Sequence, residues 1–125
     1  MINFDDRTQL IYMHELSIVM GIIDVAKKEL AKAKLDRIET IELDIGTLSG
    51  IEFEALDFAW EMAVSDTVLE NAERKINRIQ AKAKCVSCGY TFNTNSIFDQ
   101  CPKCNEMFTE ILSGKELKIK SITAI

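Results

Sequence analysis

Cys85-Val-Ser-Cys88-Gly89 and Cys101-Pro-Lys-Cys104-Asn105, with twelve residues between Cys88 and Cys101, hold all four cysteines of this 125-residue chain. Two C-x-x-C pairs brought together place four thiolates at the corners of a tetrahedron, the geometry that structural Zn²⁺ prefers. The spacer is slightly shorter than is usual for paired zinc hooks, but a hairpin fits within it. Gly89 and Asn105 each follow the second cysteine of a pair. Both residue types tolerate the left-handed conformation that turns backbone N–H groups toward thiolate sulfurs. The competing readings are two disulfides, free buried thiols, or a dithiol switch at Cys101-Pro-Lys-Cys104. A switch at the second pair leaves the first without a purpose.

Working outward, 125 residues accommodate one modest domain, or a small domain plus a metal-stapled module. The hydrophobic fraction of 47% suffices for a core, and 28% charged residues suit a soluble chain. No apolar run approaches the ~18 residues that span a bilayer. The start lacks the basic and apolar segments of a signal peptide. A cytosolic, reducing location is therefore expected, which favours metal over disulfide. Net charge is −5, and positions 39–73 carry ten acidic residues without one Lys or Arg. Such a surface repels nucleic acid and anionic membrane and attracts a basic partner or a cation.

Residues 1–12 show no period and read as an N-terminal extension. From Met13 the pattern is helical. Leu16, Val19, Ile23, Ala26, Leu30 and Ala33 recur at intervals of three and four, so they share one face. Glu15 in the first turn and Lys27, Lys28, Lys32 and Lys34 toward the far end suit the helix dipole. Positions 37–46 switch to period two, with Ile41, Leu43 and Ile45 on the buried side of a strand. A turn at 46–50 leads to a second helix over 52–66, where Trp60 reads as core. Positions 74–83 read as a strand running into Cys85, with Ile76 out of phase as at a bulge. After the hooks, Ser113-Gly114 make a turn. A final strand at 116–122 has Leu117 and Ile119 inward and Lys118 and Lys120 outward.

This order predicts an α+β fold: a small, three-stranded, mostly antiparallel sheet with two helices on one face, carrying an inserted four-cysteine zinc-binding module. The expected division is an extension at 1–12, an α+β domain from 13–83 and 110–125, and a zinc module at 84–109.

The only histidine, His14, precedes Glu15 at the head of the first helix. A lone histidine is commonly an exposed or capping residue. In a chain beginning at Met13, however, the α-amine, the His14 amide nitrogen and its imidazole could chelate one ion in a plane. Such a nitrogen set suits Ni(II) or Cu(II), unlike the tetrahedral thiolate site.

Met13-His14-Glu15-Leu16-Ser17, Asp44-Ile-Gly-Thr-Leu-Ser-Gly50, the C-x-x-C pairs at 85/88 and 101/104 and Ser113-Gly114-Lys-Glu-Leu117 follow one another in order. Together they resemble the HypA/HybF family of nickel metallochaperones for [NiFe]-hydrogenase maturation, over about residues 13–123. In that family Met-His-Glu is the N-terminus itself, whereas here twelve residues precede it. The resemblance implies a nickel site on Met13, His14 and Glu15 and structural zinc on Cys85, Cys88, Cys101 and Cys104. It also implies a nickel-binding GTPase partner of the HypB type and the hydrogenase large subunit as client, with urease maturation served by some members.

Two other functions compete. A zinc-ribbon module for nucleic acid or protein would use Tyr90, Phe92 and Phe98 and the five basic residues of 74–84. Yet Lys103 is the sole basic residue between Cys85 and Cys104, and nucleic-acid binding asks for a basic patch. An enzyme would need an open zinc position, a nucleophile–base pair or a phosphate loop, and four thiolates with a single distant histidine offer none of these.

Overall fold

The computed structural model describes residues 10–125, with side chains from His14 onward. Most of the expected extension therefore lies outside the described residues, as does the side chain of Met13. Eight elements follow in order: α1 (Leu10–Ala33), β1 (Ile38–Gly46), α2 (Phe53–Ala63), β2 (Glu73–Ile79), β3 (Lys82–Cys85), β4 (Thr91–Asn93), β5 (Thr109–Ser113) and β6 (Leu117–Ala124). They form two three-stranded sheets, ordered β2-β1-β6 and β4-β3-β5. No described helix is long and apolar enough to cross a membrane.

The chain gathers into two compact units. The first comprises the described residues up to Glu42, Ile51–Lys75 and Ile119–Ile125. The second comprises Leu43–Gly50 and Ile76–Lys118.

In the first unit, α1 buries Val19, Ile23, Ala26 and Leu30, the expected face, and packs against α2 through Ala55, Leu56, Ala59 and Trp60. Trp60 is core, and the Arg74 guanidinium lies 5.2 Å from its ring centroid while pairing with Asp57. Helix α1 ends in a Schellman motif. Lys34 adopts a left-handed φ of 56°, the Leu35 N–H donates to the Leu30 carbonyl, and the Lys34 N–H donates to that of Ala31. Helix α2 stops at Ala63, three residues before the expected end, and Asp66 sits at a φ of 63°.

The first sheet is mixed. Reciprocal bonds between Arg37 and Ile125 at one end, and the Gly46 N–H to the Glu116 carbonyl at the other, make β1 and β6 antiparallel. The C-terminal ends of β1 and β2 lie side by side. The Thr47 N–H donates to the Ile79 carbonyl and Asn77 Nδ2 to Asp44, so these strands run parallel with α2 as their crossover. Ile41, Leu43 and Ile45 are buried, matching the period-two reading. Leu117, expected inward, is 42% exposed, because it opens β6 beside a turn rather than lying inside the strand.

The expected single strand at 74–83 is instead two. Gln80 and Ala81 leave the ladder between β2 and β3. The cause is a set of long-range contacts within the second unit. The Ala81 N–H donates to Thr47 Oγ1, the Ala81 carbonyl accepts from Thr94 N–H, and Ser113 Oγ donates to the Gln80 carbonyl. Gly114, at φ 109°, presses on Ala81 so closely that a Cβ there would stand 2.4 Å from the Ala81 methyl. Against β5 the ladder of β3 is irregular between Lys82 and Ala83, and in β2 the half-buried positions change phase after Ile76, Arg74 and Ile76 being followed by Asn77 and Ile79.

Candidate metal centre

Strand β3 runs directly into Cys85, and the two hooks fold by one local rule. In the first, the Gly89 N–H donates to the Cys85 carbonyl and the Cys85 N–H to the Tyr90 carbonyl. In the second, Asn105 donates to Cys101 and Cys101 to Glu106. Gly89 and Asn105 take left-handed φ values of 75° and 62°, the conformation expected of both. Each turn aims a backbone N–H at sulfur: Cys88 N lies 3.5 Å from Cys85 Sγ, and Lys103 N lies 3.4 Å from Cys101 Sγ.

The four Sγ atoms lie within 4.8 Å of one another. The close contacts run across the hooks, Cys85 to Cys104 at 3.5 Å and Cys88 to Cys101 at 3.7 Å, and no disulfide joins them. Tetrahedral zinc–thiolate bonds of about 2.3 Å demand sulfur–sulfur edges of about 3.8 Å, close to the two cross-hook separations, so the four thiols are gathered as a metal-binding cluster. Cys85 and Cys101 are buried while Cys88 and Cys104 are exposed.

The electrostatics point the same way. The Cys88 N–H above all, then the Ser87 N–H and the neighbouring thiols of Cys104 and Cys88, outweigh burial and bring the Cys85 thiol down to about 7. At Cys104 the Glu106 N–H acts in the same sense. It is overcome by Cys85, by burial and by the remaining two sulfurs, which push the thiol up to about 12. A thiolate at Cys85 disfavours a second one at Cys104 by like-charge repulsion. A divalent ion removes the conflict, and its uptake releases protons.

The loop between the hooks is tied by Thr94, which is 2% exposed. Its hydroxyl lies 2.7 Å from both the Asp99 carboxylate and the Ser96 carbonyl, and the Asn95 N–H donates to the same carboxylate. The Thr94 hydroxyl chiefly, then the Asn95 and Ser96 N–H groups, hold the Asp99 carboxyl below its ordinary value. Nothing in the residue types alone singled out Thr94 or Asp99. The weak signal was a Ser/Thr/Asn/Asp cluster of turn-forming character between the hooks.

Among the expected nucleic-acid residues, Tyr90 and Phe92 stack with centroids 6.2 Å apart. Lys103 lies 5.5 Å over the Tyr90 ring. The one basic residue between Cys85 and Cys104 is thus engaged within the module.

His14 and Glu15 lie on α1, far in sequence from the thiols. Because α1 starts at Leu10, Glu15 lies in the second turn and not the first, where the dipole argument had placed it. Its side chain is 2% exposed, that of His14 is 35% exposed, and His14 Nδ1 lies 3.5 Å from Glu15 Oε2. A helix continuous through Met13 and His14 directs the His14 N–H along the helix axis toward the carbonyl four residues earlier. A planar chelate through that amide nitrogen requires the helix to begin later.

Comparison with known proteins decides the family. A family model described as "Hydrogenase/urease nickel incorporation, metallochaperone, hypA" matches residues 13–124. The chain belongs to the HypA family. It is 39% identical over 111 residues to the hydrogenase maturation factor HypA of Chlorobaculum parvum, covering 89% of this chain and 98% of that one. The HypA of Parabacteroides distasonis is 37% identical over 110 residues, covering 88% and 96%. The solution structure of the Ni metallochaperone HypA from Helicobacter pylori superposes with a TM-score of 0.62 at 23% identity, over 89% of this chain and 97% of that one. A second HypA solution structure gives 0.65 at 24%, over 90% and 97%. HypA is a family of metallochaperones and maturation factors rather than of enzymes.

Proposed function

We propose that this protein carries Ni(II) to a [NiFe]-hydrogenase precursor in the cytoplasm, with Zn²⁺ held by Cys85, Cys88, Cys101 and Cys104 as a structural ion. The observation that supports the reading most directly is the pairing of a HypA family match with four thiols gathered within 4.8 Å. Four sulfurs close a tetrahedral sphere, and a closed sphere suits a resident ion rather than a travelling one. Nickel then needs a different and shallower site. Met13, His14 and Glu15 form that site in this reading. The half-exposed imidazole can exchange a ligand with solvent, while the buried Glu15 carboxylate holds it in place from beneath.

The zinc module and its flanking α+β domain, 84–109 against 13–83 and 110–125, divide these two tasks. Delivery engages a nickel-binding GTPase of the HypB type and the hydrogenase large subunit, and the family description leaves urease as a second client class.

A Ni(II) titration, by calorimetry with d–d spectroscopy, on the chain starting at Met1 and on one starting at Met13 tests the site. Stoichiometric binding lost in His14→Ala, with zinc content unchanged, is expected. Tight planar binding confined to the chain starting at Met13 identifies the amine as a ligand. Undiminished binding in His14→Ala overturns the assignment.

A further inference from the structure

Helix α2 buries one face and leaves the other exposed. On the exposed side Phe58 and Met62 stand one turn apart, 60% and 66% exposed. Glu54 lies one turn before Phe58, and Glu61 lies one turn after it and beside Met62, so the four side chains share a continuous stripe. Isolated exposed hydrophobes need no explanation. Here two large ones are contiguous, and the charged side chains of the helix itself are all acidic. The remaining carboxylate of the helix, Asp57, is taken by Arg74. Glu54 and Glu61 have no ion-pair or hydrogen-bond partner among the described residues. No Lys or Arg occurs between positions 39 and 73 to neutralise them.

The sign of that charge selects the occupant. An isologous contact with a second copy would set each Glu54 and Glu61 against like charges. Phosphate backbones and anionic bilayers are repelled for the same reason. What complements an apolar pair framed by carboxylates is an amphipathic helix whose apolar ridge is flanked by Lys or Arg. We propose that the Glu54–Phe58–Glu61–Met62 stripe of α2 is a docking surface for a basic amphipathic segment of a partner protein. This goes beyond the nickel reading and does not depend on it, because no metal-site residue takes part.

The test uses the full metal-loaded chain and a synthetic Lys/Leu amphipathic peptide of about 18 residues, five helical turns. Its Glu/Leu counterpart serves as control. With ¹⁵N-labelled protein in salt of about 0.15 M, the Lys/Leu peptide is expected to shift the amides of α2, and the Glu/Leu peptide to shift none. Phe58→Ser should weaken binding by about tenfold or more, as for an aromatic anchor. Glu61→Lys should weaken it and flatten its salt dependence. Asp24→Lys makes the same change in net charge on the exposed side of α1 and should have little effect. Three results overturn the proposal: Asp24→Lys weakening binding as much as Glu61→Lys, Phe58→Ser leaving it intact, or binding to anionic vesicles in place of the peptide. Concentration-dependent dimerisation abolished by Phe58→Ser would assign the stripe to a second copy and overturn it too. Phe58 and Glu61 are exposed, and helicity measured by circular dichroism separates loss of binding from loss of fold.

Discussion

The two units solve the problem of stability by different means. The first is built from aliphatic burial: Val19, Ile23, Leu30, Ile38, Ile41, Ile51, Leu56, Trp60, Val64 and Leu69 are all buried. In the second, the long segment 76–118 buries among its hydrophobic residues only Ala81, Ala83, Cys85 and Cys101. Its large apolar side chains point outward, with Phe98 78% and Phe108 72% exposed. A segment this small with so little buried carbon cannot offset the entropy of ordering itself, and small domains in that position use metals or disulfides. Its four thiols, two of them on the buried Cys85 and Cys101, are the groups best able to supply the deficit. Charge divides along the same line. Among the described residues the first unit carries thirteen acidic against eight basic residues, the second five against six.

If metal replaces a core in the second unit, stripping it gives the largest effect. Structural zinc contributes about 10–16 kcal/mol of apparent binding free energy. Chelation or Cys101→Ala should abolish amide protection across β3, β4 and β5 while the amides of α1 and α2 stay protected. Hydrogen exchange followed residue by residue reports this, and protection of β3 surviving chelation would show that burial alone suffices there.

The converse experiment attacks the aliphatic unit. Leu56→Ala empties a fully buried site in α2 and should cost about 2–5 kcal/mol in denaturant unfolding, with metal content unchanged at low denaturant. Loss of metal in step with Leu56→Ala would mean the two units do not differ in this way.

Gly114→Ala sharpens the comparison inside the second unit. It combines a φ of 109° with a methyl forced to 2.4 Å from Ala81, so a cost of about 2–4 kcal/mol is expected even with the metal bound. A fall in the melting temperature smaller than that of a surface substitution would show that the turn relaxes.

A smaller effect belongs to Asp99. Its folded carboxyl is held below the ordinary value, so its contribution is present above that value and lost as pH falls through the depressed one. The acid limb of stability should move in Asp99→Asn, and an identical acid limb would remove the loop's carboxylate from the account. His14→Ala should change stability least, within about 0.5 kcal/mol, since its ring is partly exposed. A melted His14→Ala would make the residue structural.

Much of this molecule was legible before folding, because its signals are local. The face of α1 follows from a 3.6-residue period, the alternation of Ile41, Leu43 and Ile45 from a period of two, and the core position of Trp60 from its spacing with Leu56. Gly89 and Asn105 were legible as left-handed residues because each turn closes within five positions. The gathering of the four cysteines followed from thiolate chemistry and spacing.

What the residues alone could not announce depends on partners distant in the chain. The break at Gln80–Ala81 exists because Thr47 and Gly114, each more than thirty positions away, claim Ala81 by hydrogen bond and by close approach. Sulfurs pair closely across the hooks, 85 with 104 and 88 with 101, because β3 brings β4 and β5 into register on either side of it. Local periodicity carries information over a few residues and fixes which groups are available. Only the closure of the chain decides which of them meet.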